Sequence, residues 1–418
     1  MTHRITLALL ALLTAFATPA AASAHGAEPL PENLHGFESG DWVFHVNFGI
    51  ITSDDTTRYV CEEAFSGGER FRVAPLGLHE WVIFTADAIY RTEDGCDFEK
   101  VEALPKIPSD ADSLPGASVV AYTVNTDSAE TTGVFVSEDA GATFRKLDIE
   151  VAQRQFTRVE VIDAQTVLVS AYSKDAEAQG QAELLEVSLA EDSVSSLEVT
   201  DGLKYPYLLD VNADAIVWQA STDRGQSLFW GTVAEPTRDE FPLSAWPNGV
   251  ALSRDGTEFW IAAANTGNKG LTHATSADMM VDIAADHSGL CVGRAADSVY
   301  ACASDEREGH ELSRVVGADI EPAVSFEDIA GPRTSCPEGS DVATTCPAVW
   351  PELAQSLGIE VEDGNDDGDE DGDDGDDDGG GGDEGVCSSV GGHAPSGVHL
   401  FLASLVIVAL FRARRRCI

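Results

Sequence analysis

Basic residues are scarce in this chain: 25 Lys and Arg stand against 72 Asp and Glu in 418 residues. With the 360–384 tract, Arg4 and the four terminal arginines set aside, 57 acids still face 20 bases. A surface so poor in cations cannot neutralise phosphates, so nucleic acid is excluded as a partner. No C-x2-C spacing appears and the ten histidines are scattered, which excludes a structural zinc site. The chain has no G-x-S-x-G elbow, no P-loop and no dinucleotide-binding glycines between a strand and a helix. Long amphipathic helices are also missing. WPELAQSLG at 350–358 reads as one short helix on the end of an otherwise all-β chain.

Both chain ends read as addresses. Residues 1–24 have the layout of an export signal: Arg4, an apolar run at 5–17, and Ala22-Ser23-Ala24 as a small-x-small cleavage site. Cleavage there leaves His25 as the first residue. A terminal His followed by Gly can chelate copper, but the sheet repeat below does not match the sandwich fold that this chemistry uses. At the other end, 360–386 holds 15 acids among glycines and too little apolar surface to fold, so it is expected to be a self-repelling linker. Asp363-Gly364-Asn365-Asp366-Asp367-Gly368 begins like a calcium loop, yet Asp374 stands where Glu is needed, so only weak Ca2+ binding by the tract is expected. No other cofactor and no metal site is expected. Residues 387–418 then give Cys387, an apolar run at 398–411, and Arg412, Arg414, Arg415 and Arg416. Arginines after a short membrane helix stay cytoplasmic. The folded part at 25–359 therefore faces outward.

This tail resembles the MYXO-CTERM sorting domain of myxobacteria, in the order acidic Gly-rich stretch, Cys387, small residues 388–392, short helix and arginines. His399 in the apolar run and Cys417-Ile418 after the arginines depart from the pattern. The resemblance implies a membrane-embedded processing protease as a partner, an inner-membrane intermediate, and delivery to the cell surface or outer membrane.

Between the ends the sequence repeats. The pairs Ile89-Tyr90, Val134-Phe135, Leu184-Leu185, Leu228-Phe229, Gly270-Leu271 and Glu311-Leu312 recur at about 41–50 residues. Such a period of short strands predicts a β-propeller of about seven blades. An apolar strand precedes each pair and reads as an inner strand: EWVIFTA, SVVAYTV, TVLVSAY, AIVWQAS, EFWIAAA and SVYACAS, with WVFHVNF one period earlier. Closure is expected from the N-terminal strand entering the last blade.

VFVSEDAGATF carries Ser137, Asp139, Gly141, Thr143 and Phe144 in the order S-x-D-x-G-x-T-[FW], and IYRTEDGCDF carries a shortened copy in Thr92, Asp94, Gly95 and Phe98. A weaker echo holds Ser221, Asp223 and Gly225. Asp139 is placed to accept backbone N–H bonds in a turn, and Gly141 to adopt a positive φ. These residues resemble the Asp-box of BNR or sialidase-like propellers, where the motif is structural and peripheral. That superfamily includes glycosidases as well as binding proteins. Its sialidase members need three arginines and a Tyr–Glu pair. Only Phe71-Arg72-Val73-Ala74-Pro75 approaches such a frame here, with one extra residue.

The expected function is thus a monomeric, non-enzymatic binding or scaffolding module for an extracellular protein or carbohydrate. A secreted glycosidase is the alternative, and clustered Arg, Glu and Tyr in the channel would favour it. Six cysteines precede the acidic tract. Proximity pairs Cys291 with Cys302 and Cys336 with Cys346, which leaves Cys61 for Cys96. Seven tryptophans are present: Trp42, Trp81, Trp218, Trp230, Trp246, Trp260 and Trp350. Most should be core, with some left to line a binding face.

Overall fold

The computed structural model describes residues 29–359, except 67–69, 105–106, 151–152, 244–245, 266–267, 277–278, 285–286, 305–307 and 318. The expected signal at 1–24, His25, the 360–386 tract, Cys387 and Arg412, Arg414, Arg415 and Arg416 lie outside these residues. No helix among the described residues is long and apolar enough to cross a membrane.

Seven antiparallel sheets follow one another along the chain, six of four strands and one of five. They form a seven-bladed β-propeller. The first strand of each blade is innermost: Pro31–Gly36, Arg72–Pro75, Asp110–Leu114, Arg154–Asp163, Lys204–Val211, Gly249–Leu252 and Val292–Ala295. These first strands neighbour one another around a central channel.

The apolar runs expected to be inner strands are the second strands of their blades, one place out from the channel. Their composition follows from having a blade on each side. In Val119–Val124, Val119 and Ala121 enter the core shared with blade 4, while Val120, Tyr122 and Val124 enter the core shared with blade 2. Trp81 and Ile83 face blade 1 while Val82 and Phe84 face blade 3. A strand covered on both faces has no reason to alternate with polar residues. The recurring pairs fall on the third strands, such as Ala88–Thr92 and Gly133–Ser137.

The ring closes differently from the expectation. The four antiparallel strands of blade 1 all come from Pro31 to Cys61, and blade 7 runs from Val292 to Val324. Gly36 lets their innermost strands meet: a Cβ there would lie 1.9 Å from the Arg294 carbonyl oxygen. The chain then continues past blade 7 onto the outside of blade 1. Gly331–Pro332 pairs parallel with Arg58 and Tyr59 as a fifth strand, extended by Ala330 N–H to Thr57 O at 2.8 Å and Arg333 N–H to Tyr59 O at 2.9 Å.

A helix follows at Asp341–Ser356, capped by Ser340, whose side chain accepts from the Ala343 N–H. It starts nine residues before the expected Trp350 and carries both Pro347 and Pro351 within it. Val342, Cys346 and Leu353 complete the core of blades 7, 1 and 2.

Two of the three expected disulfides are corrected. Cys291–Cys302 forms as expected, but Cys61 bonds Cys346 and Cys96 bonds Cys336. Both long-range bridges tie the C-terminal extension to blades 1 and 2. Cys336 and Cys346 do not bond each other, since the helix begins between them.

Bridges spanning 285 and 240 residues restrict the unfolded chain more than one spanning 11. Replacing Cys61 and Cys346 by Ser is expected to cost roughly 4 kcal/mol against about 3 kcal/mol for the Cys291/Cys302 pair on the loop-length relation, because the nested Cys96–Cys336 bridge still closes most of the longer loop. Urea unfolding of the two double variants checks this. An equal or reversed loss would remove the extension as the lock of the ring.

Candidate functional site

The channel is lined by the innermost strands, and their charged side chains reach between blades. Asp110 accepts from the Val159 N–H of the next blade at 3.0 Å, and Asp112 from the Val161 N–H at 2.7 Å. Asp210 repeats the arrangement two blades on, accepting from the Leu252 N–H at 2.6 Å. The arginines take the opposite role. Arg158 Nε donates to the Leu208 carbonyl at 3.3 Å and Arg294 Nε to the Leu252 carbonyl at 2.9 Å, each in a neighbouring blade. Arg158 Nη1 also donates to Asp110 at 2.7 Å, and its guanidinium lies 5.1 Å from the Tyr207 ring.

The local sequence explains this placement. In Arg158-Val159-Glu160-Val161 the valines enter the core with blade 3 while Arg158 and Glu160 line the channel. Asp110-Ala111-Asp112 alternates in the same way. A partial signal existed in blades 3 and 4, a polar alternation in the strand before the apolar run, but it does not separate a bridging side chain from a solvated one.

Burial shapes the charges. It pushes the Asp112 carboxyl up to about 7, with Asp110 beside it adding to the shift. Burial also pushes Asp210 up to about 6, against two backbone N–H bonds that favour the anion. Glu160 is raised well above the usual range by burial and then by Asp112. Against the cost of burial, Asp110 drives the Arg158 guanidinium further up. Burial lowers His35 to about 4 and His45 to about 3, so both imidazoles are neutral at pH 7.

The two mouths of the channel differ. One is lined by Glu38, Asp112, Glu160 and Asp210 with Arg294. The other opens into a cavity of about 790 Å³ that carries Arg70, Arg72, Tyr207, Gln219 and Trp246. Arg72 is where the sequence frame put an arginine: its Nε donates to the Pro108 carbonyl at 3.2 Å, and Nη1 lies 3.9 Å from Asp110. Trp42, Trp81, Trp218 and Trp230 are core, whereas Trp246 is 39% exposed at this mouth. No group of three or more His, Cys, Asp or Glu among the described residues is arranged to hold a metal ion.

The motif residues lie away from the channel, in the turns between third and fourth strands of blades 2 and 3. Ser137 Oγ donates to Asp139 Oδ1 at 2.7 Å and accepts from the Gly141 N–H at 2.8 Å. Asp139 accepts from the Thr143 N–H at 2.9 Å and the Thr143 hydroxyl at 2.7 Å. Gly141 has φ +83°, and a Cβ on it would meet Val82 Cγ2 of blade 2 at 2.3 Å. Phe144 packs on Phe84 and Tyr122.

In blade 2, Thr92 Oγ1 accepts from the Gly95 N–H and Asp94 from the Cys96 and Asp97 N–H groups. Phe98 meets Phe65, and its N–H donates to Asp341. The 221–225 echo is the hairpin between second and third strands of blade 5. A turn that sequence reading missed, Ser253-Arg254-Asp255-Gly256-Thr257, joins the first two strands of blade 6, with Asp255 accepting from the Ser253 and Thr257 hydroxyls.

One constellation could be mistaken for a catalytic pair. His310 Nε2 and His287 Nε2 lie 2.8 and 3.1 Å from Ser313 Oγ. Ser313 is fully buried, and no described cavity reaches it.

No protein-family model matches the chain, and no curated protein matches it. Among solved structures it is similar to a GH74 xyloglucanase from Xanthomonas campestris, at TM-score 0.49 and 13% identity over 74% of this chain. It spans 61% of that enzyme's length. It is also similar to hydrazine synthase from Kuenenia stuttgartiensis, at TM-score 0.48 and 10% identity over 71% of this chain and 99% of that one.

Raised carboxylates make a testable pH signature. A carboxyl whose folded pKa exceeds its unfolded value stabilises fully below about pH 4 and loses that contribution as pH rises to the folded value. Asp210 does so between about 4 and 6. His35 and His45 act oppositely, since their depressed values remove stability as pH falls below 6.5. Asp210→Asn deletes only the first component. Relative to the wild type, the variant should therefore gain stability from pH 4 to 6, by up to about 1.4 kcal/mol per unit. Chemical denaturation across that range measures the gap. A variant-minus-wild-type stability difference that stays constant or falls as pH rises from 4 to 6 contradicts the buried-carboxylate assignment.

Proposed function

We propose that this chain is a binding or scaffolding propeller displayed outside the cytoplasm, with its ligand seated in the central channel. The observation that carries this reading is the engagement of the channel charges. Asp110, Asp112 and Asp210 each accept from a backbone N–H of the next blade, and Arg158 and Arg294 each donate to a carbonyl of a neighbouring blade. Groups that hold blades together are poorly placed to move protons or attack a substrate. The three disulfides support an oxidising compartment. Surface delivery through Cys387 and the terminal arginines belongs to the same proposal.

The glycosidase alternative is favoured by one observation. Glu160, raised by burial, has the protonation of a general acid. Such an enzyme also needs a second carboxylate free to attack or to activate water. The neighbouring candidates Asp112 and Asp210 hold backbone N–H groups instead.

The test incubates the full chain, purified in detergent, with a panel of plant, bacterial and animal polysaccharides while reducing ends are counted. The expected result is no release above the blank for wild type or Glu160→Gln. Release that Glu160→Gln abolishes would make the protein a glycosidase.

A further inference from the structure

The fourth strand of each blade ends its antiparallel run, and in six of the seven blades its outer edge is blunted. A bare edge offers N–H and C=O groups to any extended chain, and charge, proline or a cover prevents such pairing. The fourth strand of blade 1 is covered by Gly331–Pro332. Glu99–Ala103 of blade 2 carries Glu99, Lys100 and Glu102, and Arg145–Lys146 of blade 3 is two charged residues. Asp239–Leu243 of blade 5 and Asp319–Val324 of blade 7 hold Pro242 and Pro322 beside acids. Met279–Ala284 of blade 6 includes Asp282. The exception is Ser193–Ser196 of blade 4. It reads Ser-Val-Ser-Ser, has neither charge nor proline, and exposes all four residues. Val194 is one of five large apolar side chains exposed among the described residues.

The ladder with Ala182–Ser188 determines which backbone groups are free. Ser193, Val194, Ser195 and Ser196 stand opposite Ser188, Val187, Glu186 and Leu185. The Leu197 N–H extends this ladder to the Leu184 carbonyl at 2.8 Å. Antiparallel residues exchange bonds at every second position. Ser193 and Ser195 therefore bond inward as Leu197 does, while Val194 and Ser196 each turn an N–H and a C=O to the open side. The acids stand at the ends of this strand rather than on it. Glu191 and Asp192 precede it and Glu198 follows, all three exposed. Arg145 takes Asp192 at 2.9 Å, whereas Glu191 and Glu198 make no ion pair among the described residues.

We infer that this edge docks an extended segment of another protein, a short β-branched stretch with Lys or Arg at both ends, as a fifth strand of blade 4. Main-chain bonds to Val194 and Ser196 hold the segment, and contact with the Val194 side chain selects an apolar residue opposite it. Its terminal cations meet Glu191 and Glu198. Charge disfavours a second copy of this chain as the occupant. In a two-fold pairing through Ser195, Asp192 of one copy would face Glu198 of the other. Both copies also carry the same net charge of -47. The acids thus keep like chains apart while leaving the strand open to a cationic one. The channel is lined by innermost strands and this edge is outermost, so the inference is independent of any ligand in the channel.

The test adds an end-blocked peptide, Lys-Thr-Val-Ser-Val-Thr-Lys, at millimolar concentration to the full chain in detergent and follows hydrogen exchange at single amides. The Val194 and Ser196 amides should slow, while those of Ser193 and Ser195, already paired, stay as they are. A copy with Glu at both ends should protect less. So should a copy N-methylated at its three central residues, which keeps the charge and loses the donors. Val194→Pro removes an outward donor without touching the ladder to Ala182–Ser188. It should weaken the peptide about tenfold at unchanged melting temperature. Glu191→Lys with Glu198→Lys leaves the strand intact and is independent of how the proline variant folds. It should weaken the Lys-ended peptide about fivefold and strengthen the Glu-ended one. Absence of protection by the Lys-ended peptide would overturn the inference. Equal protection by the N-methylated or Glu-ended copy would do the same, as would binding that neither variant changes.

Discussion

The edge of the innermost strand is the constraint on which this propeller depends. Each first strand pairs with a second strand on one side only, and its other edge faces the channel. Unpaired N–H and C=O groups on such an edge cost about 1–3 kcal/mol each where water is excluded. The chain meets this cost with side chains from the adjacent blade. Asp110, Asp112 and Asp210 take N–H groups, and Arg158 and Arg294 take carbonyls. The charged appearance of the channel, which at first suggests chemistry, follows from this requirement. Burial then raises the carboxyl groups of Asp112 and Asp210, because they are held where solvent is limited.

Closure is the second constraint, and it lies at the periphery. Blades 1 and 7 meet where Gly36 passes against the Arg294 carbonyl, with no space for a side chain. The ring is then held from outside. Gly331–Pro332 extends the sheet of blade 1, and the 341–356 helix packs beneath blades 1 and 2. Tyr59 meets Trp350 at 5.8 Å, and Cys61 and Cys96 are bonded to the extension. A strand exchanged between first and last blades is unnecessary with this lock in place. The channel is consequently bordered by seven complete blades.

Much of the fold was legible because its period is long and its third strands are apolar at fixed spacing. The innermost strands were harder to read. Asp110–Leu114 and Arg154–Asp163 alternate polar with apolar residues and look like exposed edges, so the fully apolar second strands took their place. The disulfides were misread because sequence proximity favours Cys336 with Cys346, whereas the helix between them sends each to a different blade. Of the candidate site, Arg72 and the division of tryptophans between core and surface could be read from the chain. Asp110, Asp112, Arg158, Glu160 and Asp210 could not, since nothing local separates a side chain that bridges blades from one that is merely solvated. The turns at Asp94 and Asp139 were visible because their hydrogen bonds are formed within a few residues.

Native-state hydrogen exchange resolved to single amides tests the central claim that channel charges hold blade to blade. The Val159, Val161 and Leu252 amides lie on strand edges and would exchange readily if only solvent met them. The account predicts that they exchange only with global unfolding, and that Asp210→Ala speeds Leu252 at least about tenfold while Val161 keeps its protection. Rapid exchange of Leu252 in the wild type, or no change in the variant, would contradict it.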